Sequence, residues 1–132
     1  LSEARLGTPY RPGGWTVRQV VHHLPDSHLN AYTRFKLALT EEEPTVRPYD
    51  EARWAGLPDS ALAPDVSLRL LEALHERWVV LLRGIEGDGW RLRVFHPEAE
   101  RHLSLDELVA HYAWHGEHHL AHITRLAERE GW

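Results

Sequence analysis

The chain has 132 residues, a formal net charge of −5 at pH 7 and no cysteine. This length predicts a single domain over residues 1–132, and a negative chain without a basic cluster argues against a nucleic-acid partner. Because cysteine is lacking, disulfides and thiolate metal ligands are excluded, and any metal must be bound by His, Asp or Glu.

No apolar run approaches the ~18 residues of a membrane-spanning helix. The sequence also lacks the apolar core of a signal peptide, so a cytoplasmic protein with no membrane partner is expected. The chain contains no methionine and begins at Leu1. We therefore expect the natural protein to have a further N-terminal segment.

The first long helix is predicted to begin at Thr16, because Thr16-Val17-Arg18-Gln19 has the form of a capping box. Apolar residues at helical spacing carry the pattern to about Leu39. Pro25 lies within it and removes one backbone hydrogen bond, which predicts a kink beside His22 and His23.

Residues 41–64 lose this periodicity and contain four prolines. They predict a long crossover with a short helical piece near Glu51 to Ala55. A second long helix is predicted from a cap at Asp65 to Gly84. Alternating apolar residues between Trp90 and Leu103 then indicate a small β-hairpin.

The third long helix is predicted to start after Ser104, and it carries four histidines within the eight positions from His115 to His122. At about 100° per residue, His119 falls inside the apolar stripe and His115 lies one turn away on the same side. Imidazoles at i and i+4 can coordinate one metal ion. Two ligands do not hold a metal firmly, so a third is expected from elsewhere.

Three long amphipathic helices, one long crossover and hardly any strand predict an all-α, up-and-down helical bundle. Three helices are one short of the commonest bundle. A fourth helix before Leu1 would complete it, and dimerisation is the other solution.

The third ligand is expected among the histidines of the first helix. Periodicity puts His28 near the centre of the apolar stripe and His23 at its edge, but Pro25 disturbs the phase between them. The pattern therefore favours His23 and His28 equally, with His22 behind. Asp26 is a candidate hydrogen-bond acceptor that would orient a ligand imidazole, although a solvated helix residue would look the same.

An isolated H-x-x-x-H pair is a weak signal for a metal. A pair that faces a second histidine-rich helix is stronger, because buried imidazoles without partners are costly. A metalloprotease is excluded, because Glu117 follows His115 by two positions and H-E-x-x-H needs it directly next. The separate histidines His75, His96 and His102 are expected to be ordinary hydrogen-bonded side chains.

Four segments carry a resemblance to a known family: Pro12–Leu24 with its W-T-V-R motif, Asp26–Asn30, Arg34–Thr40 and Tyr112–Ile123. Through them the chain closely resembles the YfiT branch of the DinB superfamily over nearly its whole length. The resemblance implies a four-helix bundle whose first helix would precede Leu1.

The same resemblance implies one divalent metal ion, zinc or nickel, bound by a histidine after W-T-V-R and by the C-terminal H-x-x-x-H. Carried over by position, the ligands are His23, His115 and His119, so the resemblance favours His23 over His28. Members are described as metal-dependent hydrolases and as homodimers, and related members as bacillithiol S-transferases.

Three neutral imidazoles leave coordination positions open, which is typical of a catalytic metal site. An open position can activate water for hydrolysis or hold a thiol as thiolate. We expect an S-transferase that joins a low-molecular-weight thiol of the bacillithiol type to a small-molecule electrophile. A hydrolase is the first alternative, and a non-enzymatic metal-binding stress or interaction module is the second.

Overall fold

Three long helices form the body of the protein in a computed structural model that describes all 132 residues. The long helices are α2 (Val17–Thr40), α4 (Pro64–Arg83) and α5 (Leu105–Glu130). Two short helices, α1 (Glu3–Leu6) and α3 (Glu51–Trp54), precede α2 and α4. An antiparallel hairpin of β1 (Arg93–His96) and β2 (Arg101–Ser104) precedes α5. The all-α prediction with one small hairpin is confirmed.

The starts of α2 and α5 follow from local hydrogen bonds. The backbone N–H of Gln19 donates to Thr16 Oγ1 over 3.2 Å, and the backbone N–H of Thr16 donates to Gln19 Oε1 over 3.0 Å. At α5 the backbone N–H of Ser104 donates to the Glu107 carboxylate over 2.9 Å. Both predicted helix starts are confirmed, because the capping side chains accept hydrogen bonds from backbone N–H groups that have no partner within the helix.

The predicted cap of α4 at Asp65 is wrong. Pro64 is the first helical residue and Ala63 the N-cap, without a side-chain hydrogen bond. Proline suits this first position because its missing N–H would have no partner there anyway. The predicted end of the helix at Gly84 is confirmed.

Residues that follow α2 attach the crossover to the hairpin. The backbone N–H of Val46 donates to Phe95 O over 3.0 Å, and the backbone N–H of Phe95 donates to Pro44 O over 2.9 Å. Val46 and Val94 are buried beneath this junction. The short helix predicted within the crossover is present as α3.

Phe35 of α2, Trp78 of α4 and Tyr112 of α5 meet in the main core. Their rings pack edge to face, with centroids 5.5 Å apart for Phe35–Trp78 and 5.8 Å for Trp78–Tyr112. Helix α2 runs unbroken through the buried Pro25, so the two halves of the helix stay in one element. None of the helices combines the length and apolar character that crossing a bilayer requires.

Candidate metal centre

Three histidine side chains from two helices converge beside this core. Nε2 of His115 lies 3.2 Å from Nε2 of His23 and 3.1 Å from Nε2 of His119. The relative exposure of the three residues is only 3% for His23 and 9% for each of the others. The structure thus brings together the three residues that the family resemblance implied as ligands.

Helical geometry and one aromatic contact account for this convergence. His115 and His119 are four positions apart in α5, so their side chains lie one above the other on the same face. His23 comes from the second turn of α2, where the Trp15 ring packs against its imidazole at a centroid distance of 4.8 Å. The capped start of α2 therefore sets where the third imidazole enters the cluster.

The cluster keeps its imidazoles neutral. Burial, together with smaller contributions from the neighbouring His23 and His28, lowers the pKa of His115 to about 3. Burial and, to a lesser extent, the neighbouring His115 lower the pKa of His119 to about 3. Burial and, to a lesser extent, His119 lower the pKa of His23 to about 4. At pH 7 each ring therefore offers an unprotonated nitrogen, the form that binds metals.

These donors fit a divalent transition metal. Zinc bound at 2.0–2.1 Å to nitrogens in a tetrahedral arrangement would separate them by about 3.3 Å. The two pairs that include His115 are 3.1 Å and 3.2 Å apart, and the ligand atoms of all three residues lie within 4.8 Å of one another. Nε2 of His115 faces two other Nε2 atoms, and a single proton could bridge it to only one of them. A cation satisfies all three lone pairs at once, and imidazole ligands suit zinc and nickel.

Two other histidines of α2 lie outside the cluster. His22 is held by Ser67 Oγ at 2.7 Å from Nδ1 and by Leu62 O at 2.9 Å from Nε2. It therefore ties α2 to α4 and the crossover. His28 lies behind His115, where its Nε2 is 3.4 Å from Nδ1 of that ligand. Periodicity favoured His23 and His28 equally as the third member of the cluster. The packing of α2 against α5 brings His23, and not His28, to the Nε2 atom of His115.

Asp26 does not make the contact considered for it. Its carboxyl forms no hydrogen bond with an imidazole; its backbone carbonyl accepts from the Asn30 side chain. Burial raises the pKa of the Asp26 carboxyl, the charge of Asp59 raises it further, and His22 lowers it. The side chain behind a candidate ligand is instead His28.

A cavity of about 460 Å³ opens on the cluster, and His115 and His119 form part of its wall. Arg11 and Trp15 line the cavity from the loop before α2, and His118 lines it from α5. The convergent nitrogens are thus at the edge of a space large enough for a small molecule.

Glu51, the first residue of α3, also lines this cavity and was missed from the sequence. Partial burial raises the pKa of its carboxyl, Arg34 lowers it, and Glu98 raises it. No spacing links Glu51 to the histidines of α5, because the crossover brings it to the cavity through the tertiary fold. His111 was missed as well, although its position one turn before His115 in α5 was a usable signal.

The sequence profile of the DinB superfamily matches residues 1–123. A Bacillus pumilus protein named "putative metal-dependent hydrolase" is 54% identical over 132 residues, which are 100% of this chain and 75% of the relative. YfiT of Bacillus subtilis, with the same description in its name, is 52% identical over an alignment of 133 positions, which again covers 100% of this chain and 75% of the relative.

A solved structure of Bacillus subtilis YfiT has the same fold. It matches this chain with a TM-score of 0.97 at 52% identity, over 100% of this chain and 76% of that one. That protein is described as "a probable metal-dependent hydrolase with an unusual four-helix bundle topology". The predicted resemblance to the YfiT branch of the DinB superfamily and the predicted helical-bundle fold are both confirmed.

Proposed function

Since this chain belongs to the DinB superfamily, we propose that it is a metal-dependent enzyme for a small-molecule substrate, and that hydrolysis is its reaction. One divalent cation is held by His23, His115 and His119. The observation that carries the proposal is the convergence of three neutral imidazoles, two of which, His115 and His119, line a cavity.

A bound divalent cation supplies Lewis acidity, which polarises a carbonyl or phosphoryl group and lowers the pKa of water. The three histidines are neutral at pH 7, so they would leave the charge of a bound cation unneutralised for a substrate in the cavity. Packing of Trp15 against His23 shields that ligand from solvent.

Glu51 is the carboxyl group of the cavity wall that can accept a proton. Its raised pKa brings it closer to neutral pH, where general acid–base groups are most effective. This carboxyl is our reason for proposing hydrolysis before thiol transfer, and the names of the relatives support the same order.

Thiol transfer, which was the first expectation from the sequence, is the second candidate here. The neutral ligand set favours it, because a centre with undiminished positive charge stabilises a thiolate. A low-molecular-weight thiol such as bacillithiol, having lost its proton to solvent, would then form a bond to the carbon of an electrophile in the same cavity as the bond to the leaving group breaks.

One experiment separates the two reactions. The zinc-loaded protein is incubated in ¹⁸O-labelled water with a panel of esters, amides and electrophiles, with and without bacillithiol, and the products are analysed by mass spectrometry. Hydrolysis places one ¹⁸O in a product, whereas thiol transfer yields a conjugate whose mass includes the thiol. Both must be absent from the His119→Ala variant.

Metal binding without either product would favour a non-enzymatic metal-binding module. The homodimer implied by the family resemblance stays a proposal, and static light scattering of the purified protein tests it.

A further inference from the structure

Nδ1 of His115 points away from the converging nitrogens and faces a second histidine of α2. It lies 3.4 Å from Nε2 of His28. Nδ1 of His28 in turn lies 2.6 Å from Nε2 of His75 on α4. These three residues form a continuous series of hydrogen-bonded imidazoles, which we call the histidine chain; it joins the metal centre to α4.

The middle ring of the histidine chain is held by the core. His28 is 4% exposed, and the rings of Trp78 and Tyr112 pack edge to face against it at centroid distances of 5.7 Å and 5.9 Å. The plane of the His75 ring is inclined by 25° to that of the His28 ring, with centroids 4.9 Å apart, so the short N–N contact joins the two rings edge to edge. The orientation of the His28 ring is therefore set by packing from α4 and α5.

Proton positions along the chain are coupled. A neutral imidazole has one N–H donor and one acceptor nitrogen, so each of the two contacts needs a proton on one side only. Either all three rings carry the proton on Nδ1 and donate from His115 towards His75, or the series runs in the reverse direction. In the reverse direction His115 carries its proton on Nε2, where it would block a metal.

We infer that His28 and His75 are positioning residues that hold His115 as the Nδ1–H tautomer and so present its Nε2 lone pair to the metal ion. The inference rests on the proposed function, since it gives the histidine chain a role only if the centre binds a metal. Metal ligands of this type usually donate to a carboxylate or a backbone carbonyl. Here a buried imidazole takes that place, and a second one supports it.

Two substitutions at one position test the inference. The side-chain amide of Gln extends about as far as Nε2 of histidine, and that of Asn about as far as Nδ1. His28→Gln can therefore still accept from His115, whereas His28→Asn can reach only towards His75. The dissociation constants for Zn²⁺, and for Ni²⁺ in parallel, are measured by competition with a chelator.

We expect His28→Asn to weaken Zn²⁺ binding by about 10- to 100-fold and His28→Gln to stay within about threefold of the wild type. His22→Asn is the matched control, because His22 is an equally buried histidine of α2 that bonds Ser67 and Leu62 instead of a ligand. It is expected to lower thermal stability and leave the Zn²⁺ dissociation constant within about threefold. The 10- to 100-fold range is the usual effect of losing the hydrogen-bond acceptor behind a metal ligand.

A measurement on the wild-type protein makes the test independent of how well the variants fold. Long-range ¹H–¹⁵N NMR spectra of the zinc-loaded protein report which nitrogen of each imidazole carries the proton. We expect Nδ1–H for His115, His28 and His75. An Nε2–H tautomer at His28 or His75 would overturn the inference.

The two proposals fail separately. Stoichiometric Zn²⁺ binding by the wild type combined with undiminished binding by folded His28→Asn would leave the metal centre in place and refute the histidine chain. Equal losses in His28→Asn and His28→Gln, or an equal loss in His22→Asn, would also refute it. If the wild type binds neither Zn²⁺ nor Ni²⁺, the proposed function fails first and the inference fails with it.

Discussion

Removing one ligand from the three-histidine cluster should abolish the stabilisation that a metal gives to the fold. His119→Ala deletes an imidazole whose Nε2 lies 3.1 Å from that of His115. A ligand that binds only the folded state at 100 times its dissociation constant stabilises that state by about 2.7 kcal/mol. The measured quantity is the difference in Tm with and without buffered Zn²⁺.

The size of that difference follows from the length of the chain. An unfolding entropy of about 2.1 cal/mol/K per residue amounts to about 0.28 kcal/mol/K for 132 residues. The wild type should therefore gain about 10 °C in Tm at this Zn²⁺ concentration. A 100-fold weaker variant would be stabilised by only about 0.4 kcal/mol, which is about 1.5 °C.

His118→Ala is the matched control, since it removes the neighbouring histidine of α5, which is not one of the three convergent residues. Differential scanning calorimetry should show the full shift for this variant and almost none for His119→Ala. Zinc bound by histidines of the unfolded chain lowers both shifts alike, so the comparison between the variants is decisive. A shift above about 5 °C in His119→Ala, half of the full effect, would refute the assignment of this ligand.

Four further predictions address the fold, the cavity and the pH dependence. Gly116→Ala should raise the free energy of unfolding by about 0.5–1 kcal/mol in urea titrations, because the new Cβ would meet nothing closer than Cε1 of His28 at 3.9 Å; a loss of stability would contradict this. Phe35→Ala should lower that free energy by about 3–5 kcal/mol, since Phe35 is fully buried in the main core. Glu51→Gln should reduce kcat about 10²- to 10⁴-fold and leave the Zn²⁺ dissociation constant unchanged, and equal kcat values would remove Glu51 from the mechanism. The metal-free protein should lose stability as the pH falls from 6.5 towards about 4, because the lowered pKa values of the ligand histidines let the unfolded chain bind more protons over that range; urea titrations that give the same stability at pH 4.5 and pH 7 would contradict it.

The helices could be predicted because their signals are local. Thr16 with Gln19, and Ser104 with Glu107, pair within a single turn, and these capping residues are readable from sequence alone. The start of α4 was less predictable, because Pro64 and Asp65 are both common in the first turn of a helix and only the backbone shows which residue comes first.

The inward pair His115 and His119 was equally a local feature, since an α-helix places positions i and i+4 on one face whatever surrounds it. The sequence by itself therefore determined the all-α class, the long helices and two of the three convergent histidines. Family resemblance supplied His23, where helical phase across Pro25 left His28 equally eligible.

Only the tertiary structure decided which histidines of different helices contact one another. The choice between His23 and His28 depends on how α2 packs against α5, and the link from His28 to His75 depends on α4 as well. Glu51 reaches the cavity through the crossover. Such contacts join residues far apart in the chain, and no local periodicity specifies them, because they arise from the packing of whole helices against a common core.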